Sequence, residues 1–135
     1  MSNQNARIIF EYTTDNAVED GCLFNLSKQY EKYVKKLGII ANVYCSEYVY
    51  KNYIQIADCA RKFLSESSNE NEIVDIRAWD ILFMSRLAMK KAFNEGCSYF
   101  KFSCVLNNRI ADEIVAVVKY DGLNFYILKD LSDDW

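Results

Sequence analysis

The chain has 135 residues, of which 51% are hydrophobic and 26% charged, and its formal net charge is −3. These values are typical of one globular domain, which we expect to span residues 1–135. The chain contains no histidine and no proline. The absence of histidine argues against an enzyme, because histidine is the usual general base near neutral pH and the commonest metal ligand.

The polar start of the chain, Met1–Arg7, lacks the apolar core of a secretory signal, and no apolar run approaches the roughly 20 residues of a membrane helix. We therefore expect a cytoplasmic protein with no membrane partner. The five cysteines are an odd number and contain no C-x-x-C pair, which argues against structural zinc and a complete disulfide framework. We expect reduced, mostly buried thiols, no metal and no cofactor.

The first forty residues predict a short strand followed by two helices. The strand is Ile8–Phe10. Thr14 is the predicted N-cap of a helix over Asp15–Asp20, and Ser27 is the predicted N-cap of a second helix that Gly38 ends.

The middle of the chain predicts two longer helices separated by a loop. Residues 39–44 are either a strand or a linker, and Ser46 is the predicted N-cap of a helix reaching Leu64, with apolar residues at helical spacing. Residues 65–72 are polar and acidic, which predicts a flexible loop. Asp75 is the predicted N-cap of the next helix, which Gly96 ends. This helix is apolar on nearly all sides between Ile76 and Met89, so we expect it at the centre of the fold.

The last third of the chain predicts three antiparallel strands, because apolar residues alternate in 99–106, 113–120 and 123–128. Asn107-Asn108 and Asp121-Gly122 are the predicted turns, the second of type I′. Residues 130–135 form an acidic tail. The predicted class is α+β, with N-terminal helices and a long central helix packed on a C-terminal three-stranded antiparallel sheet, which an N-terminal strand could join.

Two charged residues and a tryptophan in the central helix need an explanation. Arg77, Trp79 and Asp80 lie where that helix is most apolar, and an unpaired buried carboxylate would be very costly. One interpretation is a structural link between Asp80 and an arginine. The other is a small polar pocket for a ligand. No second acid, base or metal ligand pairs with Asp80 as a catalytic partner in the sequence, so we name no catalytic residue.

Tyrosine is the other unusual feature, with ten in the chain. Tyrosine is common at protein interfaces because it combines a large contact area with a polar end. We predict a protein-binding patch at Tyr44, Tyr48 and Lys51. The acids Glu66, Glu70 and Glu72 could add negative charge that imitates nucleic acid.

Two short motifs resemble an uncharacterised family of small proteins carried by plasmids, phages and other mobile elements. The first motif runs Tyr12-Thr13-x3-Ala17-x2-Asp20-Gly21-x-Leu23, and the second runs Arg77-x-Trp79-Asp80-x-Leu82-x-Met84. The chain departs from the family pattern at Asn25, where the family has Asp, and in lacking the proline that follows the first long helix. The resemblance implies an accessory gene of a mobile element and brings no activity or catalytic residue with it.

These observations favour a non-enzymatic protein that binds and inhibits a host defence complex, as anti-CRISPR proteins do. The partner would be a host protein or ribonucleoprotein, and the chain is not basic enough to favour direct binding of nucleic acid. The alternative is a protein that sequesters a small nucleotide-like molecule near Arg77 and Asp80. An apolar strand at 123–128 leaves a homodimer open.

Overall fold

A mixed sheet of five strands forms the centre of the computed structural model, which describes residues 13–56, 69–106 and 109–133. The strands are β1 (Leu23–Asn25), β2 (Val43–Ser46), β3 (Cys97–Leu106), β4 (Arg109–Tyr120) and β5 (Phe125–Leu128). The helices in the described residues are α1 (Thr14–Glu19), α2 (Leu26–Gln29), α3 (Glu31–Lys36), α4 (Glu47–Val49, continuing as a π-helical turn over Tyr50–Ile54) and α5 (Glu70–Glu95). The α+β class and the long central helix are confirmed.

The sheet is larger than the predicted three-stranded meander. Its strand order is β1-β2-β5-β4-β3, with β2 parallel to β5 and every other pair antiparallel. The predicted meander forms one side of it. On the other side, the sequence left residues 39–44 open between a strand and a linker, and the structure forms strand β2 at Val43–Ser46. All four residues of β2 are buried, so β2 lacks the alternation that marks a strand with one face in solvent. The predicted strand Ile8–Phe10 lies outside the described residues.

Two apolar clusters cover the two faces of the sheet. In β5, Phe125 and Ile127 pack in the larger cluster with α5, whereas Tyr126 and Leu128 pack in the smaller one with Ala17 of α1. Alternate residues of a strand point to opposite faces, so β5 is buried on both sides.

The central helix begins earlier than predicted. Its N-cap is Asn69, whose Oδ1 accepts hydrogen bonds from the amides of Asn71 and Glu72. Asp75 therefore lies inside the helix, and the predicted loop is wrong for residues 70–72, while 65–68 lie outside the described residues. Asparagine is as good an N-cap as aspartate, and the acidic composition before Asp75 hid the start. The predicted end at Gly96 is confirmed, with φ at +93°, a conformation that favours glycine.

The predicted helix from Ser46 to Leu64 is interrupted within the described residues. Ser46 is the N-cap, as predicted, and its Oγ accepts from the amide of Val49 at 3.3 Å. The helix ends at Gln55, which has extended backbone angles. Residues 57–64 lie outside the described residues.

Two N-caps in the first forty residues differ from the prediction. Thr13, not Thr14, caps α1 through its Oγ1, which accepts from the amide of Asn16 at 3.1 Å. Asn25, not Ser27, caps α2. Ser27 lies in that helix, and its Oγ accepts from the amide of Val43 at 2.8 Å. The serine thus connects α2 to the start of β2, a long-range contact that local spacing does not show.

The connection between β4 and β5 has four residues, so the predicted two-residue turn at Asp121-Gly122 is wrong. The Oδ1 atom of Asp121 accepts from the amides of Leu123 and Asn124 at 2.9 and 2.7 Å. This side-chain closure replaces the type I′ turn. The predicted turn at Asn107-Asn108 lies outside the described residues. The acidic tail is described as far as Asp133, whose Oδ2 accepts from the hydroxyl of Ser46 at 2.6 Å.

Candidate functional site

The structure does not pair Arg77 with Asp80. Arg77 is 5% exposed, and its Nη2 donates to the carbonyl of Asn52 at 3.0 Å and contacts the Sγ of Cys104. Its Nε has no hydrogen-bond partner in the described part of the chain. Asp80 lies one turn further on and is half-buried, and burial raises the pKa of its carboxyl. The predicted Arg–Asp link is therefore not formed between these two residues, because Arg77 turns inward toward α4 and β3.

Trp79 belongs to a row of aromatic rings that joins α3 to α5. The ring of Tyr33 meets that of Trp79 edge-on at 5.3 Å, and Trp79 lies 5.9 Å from Phe83, measured between centroids. The Nζ of Lys36 lies 5.6 Å from the Trp79 ring, and the guanidinium of Arg86 lies 5.1 Å from the Phe83 ring. Both cations are within the distance at which ring faces attract positive charge.

The outer side of α5 carries apolar side chains that face solvent. We call this surface the outer face of α5 and define it by Ile76, Trp79, Asp80, Phe83, Met84 and Leu87. Phe83 is 44% exposed and Leu87 is 69% exposed. The intervals of seven residues from Ile76 to Phe83 and four from Phe83 to Leu87 place these side chains along one side of an α-helix. A contiguous exposed apolar patch of this kind is typical of a binding surface.

A groove adjoins the outer face where α3 approaches α5. Its volume is about 250 Å³, and it is lined by Tyr33, Lys36, Asp75, Ile76 and Trp79. Because Ile76 and Trp79 belong to both the groove and the outer face, the two form one surface.

The sequence carries a signal for this surface in the apolar residues on nearly all sides of α5. Apolar residues on nearly all sides of a helix are typical of burial, and one side of α5 is indeed buried, from Ile73 to Ala92. The opposite side is exposed because no described element covers it along Phe83 and Leu87.

The structure separates the predicted tyrosine patch. Tyr44 is 6% exposed, and its ring stacks on that of Tyr126 at 5.7 Å in the smaller cluster. Tyr48 is exposed, with the Nζ of Lys129 over its ring at 4.7 Å. Lys51 is exposed and forms an ion pair with Glu47, one turn earlier in α4. Tyr44 therefore cannot share a surface with Tyr48 and Lys51. The reason is that strand β2 turns Tyr44 toward α1.

The predicted acids fall at the start of α5. Glu70 and Glu72 occupy its first helical turn, where negative charge interacts favourably with the helix dipole. Glu66 lies outside the described residues. Their role in imitating nucleic acid stays a prediction.

A larger cleft lies where strands β2 and β5 begin, beside the start of α1. Its volume is about 550 Å³, and it is lined by Thr13, Thr14, Asp15, Ile40, Ala41, Asn42, Tyr44, Leu123 and Asn124. Among these lining residues there is an acid and no base. The hydroxyl of Tyr126 donates to Asp121 Oδ2 at 2.8 Å and lies 3.1 Å from the hydroxyl of Thr14. This network has no signal in the local sequence, because Thr14 and Tyr126 are 112 positions apart.

Most residues of the two short motifs have structural roles. Thr13 caps α1, and Gly21 follows it with φ at +75°. Ala17, Leu23 and Leu82 are fully buried. The motifs therefore describe how this fold is built, except for Trp79, Asp80 and Met84, which lie on the outer face of α5.

The observations on the thiols, on metal-binding groups and on membrane-spanning helices are made of the described residues only. Cys45 and Cys97 are free thiols, Cys104 is buried and Cys22 is exposed, while Cys59 lies outside. No group of three acids or cysteines within residues 13–56, 69–106 and 109–133 is placed to hold a metal ion. In the same ranges, no helix combines the length and hydropathy needed to cross a membrane.

Comparisons with protein-family models, with curated proteins and with solved structures found no match to this chain. The resemblance to the mobile-element family therefore stays a prediction that depends on its two motifs.

Proposed function

We propose that this chain is a non-enzymatic, protein-binding accessory protein of a mobile element, which inhibits a host defence complex in the host cytoplasm. The observation that supports this proposal is the outer face of α5. Its exposed side chains, Phe83 and Leu87 above all, leave apolar area in water that a partner would cover. Removing apolar surface from water is favourable by roughly 25 cal/mol of free energy for each Å² that is buried.

The composition of this surface suits protein recognition. Tryptophan and arginine are enriched among the residues that dominate binding energies. Trp79 lines the groove, and Arg86 lies over the Phe83 ring of the aromatic row. The rings are held by neighbouring rings, so little conformational freedom is lost when a partner binds. A rigid aromatic row flanked by lysine and arginine favours a partner segment that carries apolar side chains and acids.

Binding of a nucleotide-like molecule around Arg77 and Asp80 has less support. The Nη2 atom of Arg77 is already engaged by Asn52 and Cys104. The larger cleft has no base among its described lining residues, so it offers no positive charge to a phosphate.

The first prediction tests the outer face directly. Leu87→Glu places a charge on this surface without touching the core, because the side chain is 69% exposed. In affinity capture from a bacterial host lysate, read by mass spectrometry, we expect the unmodified chain to retain one host complex near stoichiometric yield. Leu87→Glu should lose it.

The matched control is Leu123→Glu. Leu123 is 73% exposed and lies in the loop between β4 and β5, away from α5. Leu123→Glu should capture the same complex as the unmodified chain, and all three proteins should melt at similar temperatures at a concentration where the chain is monomeric. Equal capture by Leu87→Glu would contradict the proposal.

A further inference from the structure

The charges along the outer side of α5 are arranged in two halves of opposite sign. The first half of the helix carries Glu70, Glu72, Asp75 and Asp80, and the second half carries Arg86, Lys90 and Lys91 together with one acid, its last residue Glu95. Arg77, the base in the first half, is buried on the inner side. The exposed side of the helix is therefore acidic toward its N-terminus and basic toward its C-terminus.

The residues along the centre of this side follow the spacing of a helix-pairing seam. Ile76, Asp80, Phe83, Leu87 and Lys90 recur at alternating intervals of four and three residues, which is the pattern by which helices pack along their length. The 26 residues of α5 span about 39 Å at 1.5 Å per residue, so the helix is long enough to form such a contact.

This seam is complementary to itself when a second helix runs in the opposite direction. Suppose that a two-fold axis passes between the two helices at the height of Ser85. A residue that precedes Ser85 by a given number of positions then lies opposite the residue of the second copy that follows Ser85 by the same number. Phe83 and Leu87 are each two positions from Ser85 and face each other across the axis, and Asp80 and Lys90 are each five positions from it and do the same. Each contact occurs twice, as a two-fold axis requires.

We infer that the outer face of α5 binds a second copy of this chain, with the two α5 helices antiparallel and Asp80 of each paired with Lys90 of the other. This inference rests on the proposed function, since it uses the same surface, and it names the partner that occupies that surface in the isolated protein. A host target using this face would have to displace the second copy.

The charge pattern favours a second copy over an unrelated acidic helix. An acidic segment would match Arg86, Lys90 and Lys91 but would meet Asp75 and Asp80 at the other end. A second copy instead places Lys90 opposite Asp80, and it does so twice, once on each side of the two-fold axis. Asp80 also lacks a charged partner within the described residues, although it is half-buried, and a second copy would provide one at Lys90.

Charge reversal tests the pairing, with analytical ultracentrifugation over a wide range of protein concentration as the measurement. We expect the unmodified chain to be a dimer. Asp80→Lys and Lys90→Asp should each weaken self-association at least tenfold, because each creates two repulsive contacts. The double variant D80K/K90D should recover it, because the pair is restored with its signs exchanged.

Lys28→Asp, an exposed reversal on α2, is the matched control and should remain a dimer. Circular dichroism of each variant checks folding, and Lys90→Asp serves if Asp80→Lys fails to fold, because Lys90 is exposed. A monomeric unmodified chain, or a double variant no stronger than the singles, would overturn the inference.

The two proposals fail separately. If the unmodified chain is monomeric while Leu87→Glu still loses the host complex, the dimer is wrong and the proposed function stands. If charge reversal behaves as expected but Leu87→Glu captures the host complex normally, the dimer stands and the host partner binds elsewhere.

Discussion

Asp121 shows how one side chain can define a turn. Its carboxylate accepts from two amides of its own loop and from the hydroxyl of Tyr126. Burial acts to raise the pKa of this carboxyl, but the hydrogen bonds from Asn124, Leu123 and Tyr126 together outweigh it and lower the pKa below the ordinary 3.8. The ionised form is therefore favoured in the folded protein.

The second prediction follows from that lowered pKa. A carboxyl whose pKa is lower in the folded state stabilises the protein above its ordinary value, and this contribution is lost as the pH falls from about 3.8 through the folded pKa. Asp121→Asn should flatten this part of the curve of unfolding free energy against pH, measured by urea denaturation. Asp75→Asn, an exposed acid outside this network, should leave it unchanged. An equal effect of both variants would count against the network.

The third prediction concerns the thiols. Cys22 is exposed, whereas Cys45 is fully buried, and burial together with the nearby Asp133 raises the pKa of the Cys45 thiol well above its ordinary value. Thiolate is the reactive form, so iodoacetamide should label Cys22 in the native protein and Cys45 only after denaturation. Peptide mapping by mass spectrometry distinguishes the two. Early labelling of Cys45 would show that β2 is not buried as described.

At the level of elements, the two opposite sides of α5 have different roles, one in the core and one at the surface. Its inner side fills the larger cluster, with Ala78, Ile81 and Leu82 fully buried, and its outer side exposes Phe83 and Leu87. Because the inner side packs the helix against the rest of the protein, residues on the outer side can be substituted without loss of the fold.

The fourth prediction compares two leucines of this helix. Leu82→Ala should lower the free energy of unfolding by about 2–5 kcal/mol, since it leaves a cavity in the core. Leu87→Ala should change it by less than about 0.5 kcal/mol, because the side chain is mostly exposed. Chemical denaturation measures both, at a concentration where the chain is monomeric. Similar losses for the two variants would mean that the outer face is covered in the free monomer.

The elements that the sequence predicted well are those whose residues interact locally. The meander strands alternate, Gly96 ends α5, and Ser46 caps α4, because each of these depends on neighbours within a few positions. The elements that the sequence left open or misplaced depend on distant contacts. Strand β2 exists because β5 lies beside it, and Ser27 acts on Val43 sixteen positions away.

The same distinction applies to the candidate site. Trp79 and Asp80 were identified from the sequence as unusual, and both lie on the outer face of α5. Their surroundings were not predictable, because Tyr33 and Lys36 reach Trp79 only through the packing of α3 against α5. Tyr44 was misplaced for a similar reason, since its burial depends on Tyr126 in β5.

At the level of the whole molecule, the order of the strands in the sheet differs from their order in the chain. Strand β5 lies between β2 and β4, so it joins the β1–β2 pair to the β3–β4 pair. Each of those pairs is antiparallel and can form from neighbouring segments. Neither pair contacts the other within the sheet until β5 is inserted.

This arrangement has a consequence for synthesis on the ribosome, where the chain emerges from its N-terminus. A nascent chain that ends before Phe125 contains both strand pairs but lacks the strand that connects them. Its sheet would be left as two pieces, each with a free edge able to pair with other chains. The native sheet can therefore be completed only after β5 has left the ribosomal exit tunnel, so folding should follow translation of this region instead of accompanying it.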